Sequence, residues 1–198
     1  MSKIIFTDLD GTLTLKDTYL KFLLKNLRFS ILLKYTPALL YMSVCYILGY
    51  IGDDDVKMRT FKIVFDGYDK EQNIDDFLAS IPWNKSVRRE IDIKREEGYK
   101  IIIVTASPDV YVEHICNFLA YDGFIATKTE KNGKFLNGYF DGKICNFEEK
   151  PKRIKEYMNG NTPQYSISYG NSSGDFAMLK FCDESYFVKK LDIKRFEK

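Results

Sequence analysis

The sequence predicts an α/β fold in which a parallel sheet carries an inserted α-helical cap domain. Three observations lead there. Ile4-Ile5-Phe6 and the run over residues 100–104 are short, continuously apolar and rich in isoleucine, the pattern of strands buried on both faces of a parallel sheet. Each gives way at once to small polar or acidic residues, which marks the strand's C-terminal end. Between them, residues 17–81 change to apolar positions at helical spacing. With 198 residues and 45% hydrophobic composition, the chain can bury a core and holds one domain plus a sizeable insertion.

Gly11 breaks the first strand, so Asp8 and Asp10 sit at the edge where open α/β sheets bind ligands. Residues two apart on an extended chain point the same way, so both carboxylates can face one small site, with Gly11 letting the backbone turn beside them. Two like charges this close repel. A divalent cation, or a proton held on one of the pair, must offset them. The plainer reading is an Asp-rich turn with Thr12 or Thr14 as a helix cap.

The net charge of +2 and a pI near 8.2 argue against a general nucleic-acid-binding surface. Cys45, Cys116, Cys145 and Cys182 are far apart and form no CxxC, so neither a zinc site nor a disulfide framework is expected. Reduced thiols in a cytoplasmic protein are the expectation. No basic region followed by an apolar core precedes Asp8, which argues against a secretory signal.

Within the insertion, Leu20, Phe22, Leu23, Leu24, Leu27, Ile31, Leu32 and Leu33 suggest one helix with a broad apolar face, edged by Lys21, Lys25, Arg28 and Lys34. A second helix is expected from Pro37. Residues 35–51 carry no formal charge, at the lower limit of length for crossing a bilayer. Two readings stand here: a pair of helices packed inside the cap, or a helical hairpin at a membrane interface. Asp53, Asp54 and Asp55 then start a helix with acids at its positive end, and amphipathic segments are expected over residues 56–65 and 70–81.

Residues 84–97 form a charged helix closed by Gly98, and the strand over 100–104 leads into Thr105, Ala106, Ser107 and Pro108. A hydroxyl there can cap the helix that Pro108 begins. His114, the only histidine, lies in that helix with no metal partner at ligand spacing and reads as structural. Residues 124–143 alternate apolar and polar, with turn signals at Asn132-Gly133, Asn137-Gly138 and Asp141-Gly142, so a small hairpin or meander projects from the core. A strand over 165–169 then opens into Gly170-Asn171-Ser172-Ser173-Gly174-Asp175 and a last helix.

The string Asp-Leu-Asp-Gly-Thr-Leu-Thr behind an apolar strand resembles the first motif of the haloacid dehalogenase superfamily of phosphotransferases. VTASP, Glu149-Lys150 and the loop from Gly170 to Asp175 resemble its second, third and fourth motifs in order, so the resemblance covers nearly the whole chain. It implies a Rossmann-like α/β core over residues 1–15 and 84–198, with the helical cap domain over 16–83. It implies Asp8 as the nucleophile that forms an aspartyl-phosphate, and Asp10 as general acid and then base. Thr105 is implied as the side-chain donor to a phosphoryl oxygen, with Ala106 and Ser107 contributing backbone or hydroxyl contacts. Lys150, with Lys152 as the fallback, is implied as the cation that neutralises both Asp8 and the phosphate.

Magnesium is the implied cofactor, with Asp8, Asp10, Asn171 and Asp175 as its ligands. Here the chain departs from the family pattern, which places an acid where Asn171 stands. An amide oxygen can ligate magnesium but adds no negative charge, so affinity should fall, and Asp175 can move inward or act through a water. The cap position resembles phosphoserine phosphatase. The apolar start of the cap, VTASP, the Glu-Lys pair and the strand SYFV look more like phosphatidylglycerophosphatase C, a bacterial lipid-phosphate phosphatase of the same branch.

The function these resemblances imply is magnesium-dependent hydrolysis of a phosphomonoester, with a lipid phosphate such as phosphatidylglycerophosphate as substrate. The alternatives are a soluble, phosphoserine-like substrate, or a degenerate module that binds phosphate without turnover. A lipid substrate goes with peripheral association of the cap with the inner face of the membrane, and no nucleic-acid partner is expected.

Overall fold

The computed structural model describes residues 3–69 and 73–197. Alternation along β1 (Lys3–Thr7) sets its frame, because Ile5 joins one hydrophobic cluster while Ile4 and Phe6 join another, so both faces of the strand are covered. β1 pairs in parallel with β3 (Tyr99–Pro108) on one side and β7 (Tyr165–Gly170) on the other. Gly123–Thr127 (β4) extends the sheet beyond β3, and Glu184–Lys189 (β8) and Asp192–Arg195 (β9) extend it beyond β7. Five strands are parallel, and β9 returns antiparallel to β8.

Helices cover both faces. Val87 and Ile91 of α5 (Lys85–Glu96) and Val112 and Ile115 of α6 (Asp109–Leu119) pack with Ile5. On the opposite face, Ile154 of α7 (Glu149–Met158) and Met178 of α8 (Phe176–Phe181) pack with Ile4 and Phe6. Cys45, Cys116, Cys145 and Cys182 form no disulfide.

The insertion enters and leaves through one antiparallel stem. Leu15 N donates to Pro82 O at 2.8 Å, Asn84 N donates to Leu13 O at 2.9 Å, and Thr14 bridges to Trp83 between them. Beyond the stem lie α1 (Thr18–Asn26), α2 (Phe29–Ile47), α3 (Asp53–Phe65), the strand β2 (Asp66–Asp69) and α4 (Ile74–Ala79). Phe22 of α1 stacks on Phe65 of α3 at 5.0 Å, and meets Phe77 of α4 at 5.0 Å and Tyr111 of α6 at 4.7 Å. One hydrophobic cluster therefore runs from the insertion into the face of the sheet.

Several expectations are corrected. The first insertion helix ends at Asn26, where the Asn26 amide donates to the Phe22 carbonyl at 2.7 Å and Leu27 and Arg28 turn extended. α2 then runs through Pro37 instead of starting there. It does not pack inside the cap: none of its residues is buried, and Phe29, Leu33, Tyr41 and Ile47 are exposed. The hairpin of β5 (Thr129–Asn132) and β6 (Phe135–Phe140) does not project alone, because β6 also pairs antiparallel with β2. Asn137-Gly138 is no turn. Gly138 takes φ +73° inside β6, and a Cβ there would lie 3.1 Å from the Lys62 main chain of α3. β3 continues to Pro108, so Thr105 and Ser107 belong to the strand. Of the segment expected over 70–81, Lys70, Glu71 and Gln72 lie outside the described residues, and Ile74–Ala79 is helical.

Because Phe22 has no exposed surface and touches four aromatic rings, Phe22→Ala leaves a cavity that its neighbours cannot fill. The expected loss is about 3–5 kcal/mol of unfolding free energy by urea denaturation. A loss below about 1 kcal/mol would show that the insertion does not depend on this cluster.

Candidate active site

Asp8 leaves the end of β1 with its N–H held by the Tyr169 carbonyl of β7 at 2.9 Å. The chain turns at once through Leu9–Leu13, where Gly11 takes φ +82°. A Cβ on Gly11 would collide with the Asn171 amide, so glycine lets the loop after β7 close onto this turn. Thr12 Oγ lies 3.3 Å from both Asp8 Oδ2 and Asn171 Oδ1, which brings two oxygen donors from opposite ends of the chain to one point.

Lys150, in the first turn of α7, uses its three N–H bonds on three elements. Nζ donates to Asp8 Oδ1 at 2.7 Å, to Asp175 Oδ1 at 2.5 Å and to the Val104 carbonyl of β3 at 2.8 Å. Lys152, by contrast, stands on the surface in an ion pair with Glu149. The second oxygen of Asp175 accepts from Asn171 N, Ser172 N and Ser172 Oγ at 2.9–3.0 Å, fixing the loop. Both oxygens of Asp175 are therefore engaged within the protein.

Asp10 is held from two sides: Oδ1 accepts from Thr18 N at 2.6 Å and Oδ2 from Ser107 Oγ at 2.5 Å. The latter follows from a bulge in β3, whose pairing with β4 jumps from Val104–Ile125 to Pro108–Thr127. Thr105 and Ala106 line the cleft, while the Ser107 hydroxyl is used on Asp10. Thr105 Oγ accepts from Ser107 N at 3.1 Å.

These groups sit at the floor of a cleft of about 920 Å³ that the insertion covers with Leu20, Leu23 and Lys57. A more apolar cavity of about 750 Å³ lies between α2 and α3, lined by residues such as Met42, Cys45 and Met58. It holds no carboxylate, so the chemistry belongs to the first. Burial, with the charges of Asp175 and Asp10 nearby, pushes the Asp8 carboxyl up to about 7 against the pull of Lys150. Burial, and next the charge of Asp17, also raises Asp10. Burial works against a charged Lys150, but Asp175 and Asp8 outweigh it and hold the ammonium firmly protonated. Asp175 goes the other way, because Lys150 and the loop N–H groups overcome its burial and keep it ionised.

Sequence reasoning missed Lys57, whose Nζ donates to the Ala106 carbonyl at 3.2 Å from α3. Nothing in the sequence separates it from other lysines on helices. It also missed Thr12 and Thr18, which have the right residue type but no spacing signal.

The fold and the site define the class: an α/β protein that gathers buried carboxylates and a buried lysine at the C-terminal edge of a parallel sheet, beneath a helical cap. Residues 5–180 match the haloacid dehalogenase-like hydrolases, and the chain belongs to that family. It is 31% identical over 195 residues to protein CicA of Caulobacter vibrioides, across 91% of this chain and 83% of CicA. A Bordetella pertussis Tohama I protein of unknown function shares the fold with a TM-score of 0.74 at 15% identity, over 93% of this chain and 89% of its own. Phosphoserine phosphatase does so with a TM-score of 0.65, both in apo form and as a phospho-aspartyl intermediate analogue, at 16% and 15% identity over 93% of this chain and 85% of each.

Lys150→Met would leave Asp8 and Asp175 buried side by side without their cation. Stability at pH 7 should fall by about 3–5 kcal/mol in chemical denaturation. The sign with pH follows: unpaired carboxyls have folded pKa values raised above their unfolded ones, so they destabilise at high pH and are relieved as pH falls through those values. The deficit should shrink between pH 7 and pH 5. A deficit that grows on acidification contradicts this account of the buried charges.

Proposed function

We propose that this chain is a magnesium-dependent phosphomonoesterase acting through an aspartyl-phosphate on Asp8. The observation that supports it most is the convergence of Asp8, Lys150 and Thr105 at the floor of a cap-covered cleft, with Asp10 held beside them. The likeness to a phosphoserine phosphatase that forms a phospho-aspartyl intermediate analogue agrees with it. So does the antiparallel stem at residues 13–15 and 82–84, which supports a core of residues 1–15 and 84–198 and a cap of 16–83.

The donor set fits a small, hard cation. Asp8 Oδ2 and Asn171 Oδ1 approach one hydroxyl, every ligating atom is oxygen, and the two carboxylates of Asp8 and Asp175 outnumber the Lys150 ammonium between them. Both side-chain oxygens of Asp10 are held by Thr18 and Ser107, beside this point. Asp175 would act indirectly, by fixing the loop that carries Asn171. When bound, magnesium offsets the carboxylate charge and polarises the phosphoryl oxygens.

Asp8, ionised, attacks phosphorus, and the bond from phosphorus to the leaving oxygen breaks. Asp10, whose burial favours the protonated form, delivers its proton to that oxygen. Thr105 and the N–H groups beside it hold the phosphoryl oxygens, while Lys150, whose three N–H bonds are used on Asp8, Asp175 and the Val104 carbonyl, contributes its positive charge beside them. Water then attacks phosphorus, Asp10 takes a proton from that water, and the bond from phosphorus to the Asp8 oxygen breaks to release phosphate.

A second observation bears on the substrate. α2 is a 19-residue helix of mean hydropathy 1.3, long and apolar enough to cross a membrane by length and composition. At ~1.5 Å per residue it is about as long as a bilayer's hydrocarbon core is thick. We infer that it docks the cap on an anionic membrane interface and brings a lipid phosphate to the cleft. Lys21 donates to the Ser80 carbonyl and Lys25 pairs with Asp76 at 3.9 Å, so Arg28 and Lys34 are the better-placed basic residues. Each should contribute about 1 kcal/mol near the headgroups.

Purified protein should release phosphate with magnesium, Asp8→Asn should abolish this, and Asp10→Asn should slow it by ~10²-fold or more. Full activity of Asp8→Asn overturns the mechanism. Asn171→Asp should lower the magnesium concentration for half-maximal activity, since it adds a charge beside the ion. An inactive native protein that gains activity with this change would instead be a degenerate phosphate-binding module. In flotation, the protein should rise with phosphatidylglycerol vesicles, and Arg28→Glu with Lys34→Glu should weaken that. A protein that stays in the soluble fraction and prefers phosphoserine to phosphatidylglycerophosphate refutes the lipid reading.

A further inference from the structure

Asp10 is gripped by both parts of the molecule. Ser107, on β3, belongs to the sheet, whereas Thr18 is the first residue of α1 and belongs to the cap. Thr18 is held in turn by its own hydroxyl, 3.2 Å from the Tyr111 hydroxyl of α6. Tyr111 has no exposed surface, and its ring lies against two cap rings, Phe22 at 4.7 Å and Phe77 at 5.1 Å. The ring on which the cap sits is thus the ring whose hydroxyl steadies the residue that grips Asp10. A buried hydroxyl without a partner is costly, so Tyr111 and Thr18 hold each other in register. Burial raises the Tyr111 phenol well above its ordinary value, so it remains a neutral group.

We propose that Tyr111 is a positioning residue which, through Thr18, aims the Asp10 carboxyl only when the cap is seated. This rests on the reading above that Asp10 protonates the leaving oxygen. Proton delivery is productive only when the carboxyl reaches the leaving atom at hydrogen-bond distance, so a seated cap and a competent acid coincide. The cap then does more than cover the substrate.

The test uses the dependence on the leaving group. An alkoxide leaves poorly without a proton, whereas p-nitrophenolate leaves without help, and kcat/KM reports events up to that departure. Tyr111→Phe keeps the ring and removes the hydroxyl; Thr18→Val keeps the N–H and removes the other hydroxyl. Each should lower kcat/KM for an alkyl phosphate about tenfold and leave that for p-nitrophenyl phosphate within about twofold. The Tyr111 hydroxyl also meets Ser107, so the double variant should be no worse than Tyr111→Phe alone, which already removes the link to Thr18. Thr18→Ser should restore the alkyl phosphate rate. Equal losses on both substrates, or no loss on either, overturn the positioning role. If the unaltered protein hydrolyses neither substrate with magnesium, the phosphatase reading fails first and this inference with it.

Discussion

Lys150 between Asp8 and Asp175 is the interaction the rest of the site depends on. Three buried charges within hydrogen-bond reach are expensive to desolvate, by several kcal/mol per ion, and persist only if each is satisfied by geometry. Here each one is. Lys150 bonds β1, β3 and the loop after β7 at once, so it aligns three adjacent strands of the sheet at their C-terminal ends. Asp175 in turn ties down the loop that lays Asn171 over Gly11. With both carboxylates ionised the cluster carries one net negative charge, and burial pushes Asp8 and Asp10 toward their protonated forms, so the site is built to accept positive charge or to retain a proton.

The cap is joined to this site by packing as well as by position. Phe22 and Phe77 press on Tyr111, Phe65 stacks on Phe22 behind them, and the same insertion supplies the Thr18 N–H to Asp10 and Lys57 to the Ala106 carbonyl. α2 stands outside that cluster. None of its residues is buried, and Phe29, Leu33, Tyr41 and Ile47 are exposed, an apolar surface that the cap does not cover.

Much of the frame was legible in the sequence. Strands buried on both faces announce themselves as unbroken apolar runs, so β1 and the start of β3 were plain, as was the acidic start of α3. The motif order also placed Asp8, Asp10, Thr105 and Lys150 in one cleft. What was not legible depends on distant partners. Pro37 reads as a helix boundary, yet the boundary falls at Asn26, whose side chain bonds back to the turn before it. Gly138 reads as a turn, yet its need for φ > 0 comes from α3 crossing above. Ser107 reads as a phosphate ligand, yet the bulge in β3 turns it onto Asp10. No local pattern separates Lys57, Thr18 or Tyr111 from ordinary helix residues, because their roles arise only where cap meets core.

The proposed chemistry turns on a covalent bond from Asp8 to phosphorus, which can be observed directly. The protein would be mixed with magnesium and a phosphomonoester it hydrolyses, quenched in acid within a turnover, digested and examined by mass spectrometry for phosphate on the peptide carrying Asp8. The account predicts an acyl-phosphate on Asp8 that is lost on treatment with hydroxylamine. Steady turnover with an unmodified Asp8 peptide at every quench time, or phosphate on another side chain, would contradict it.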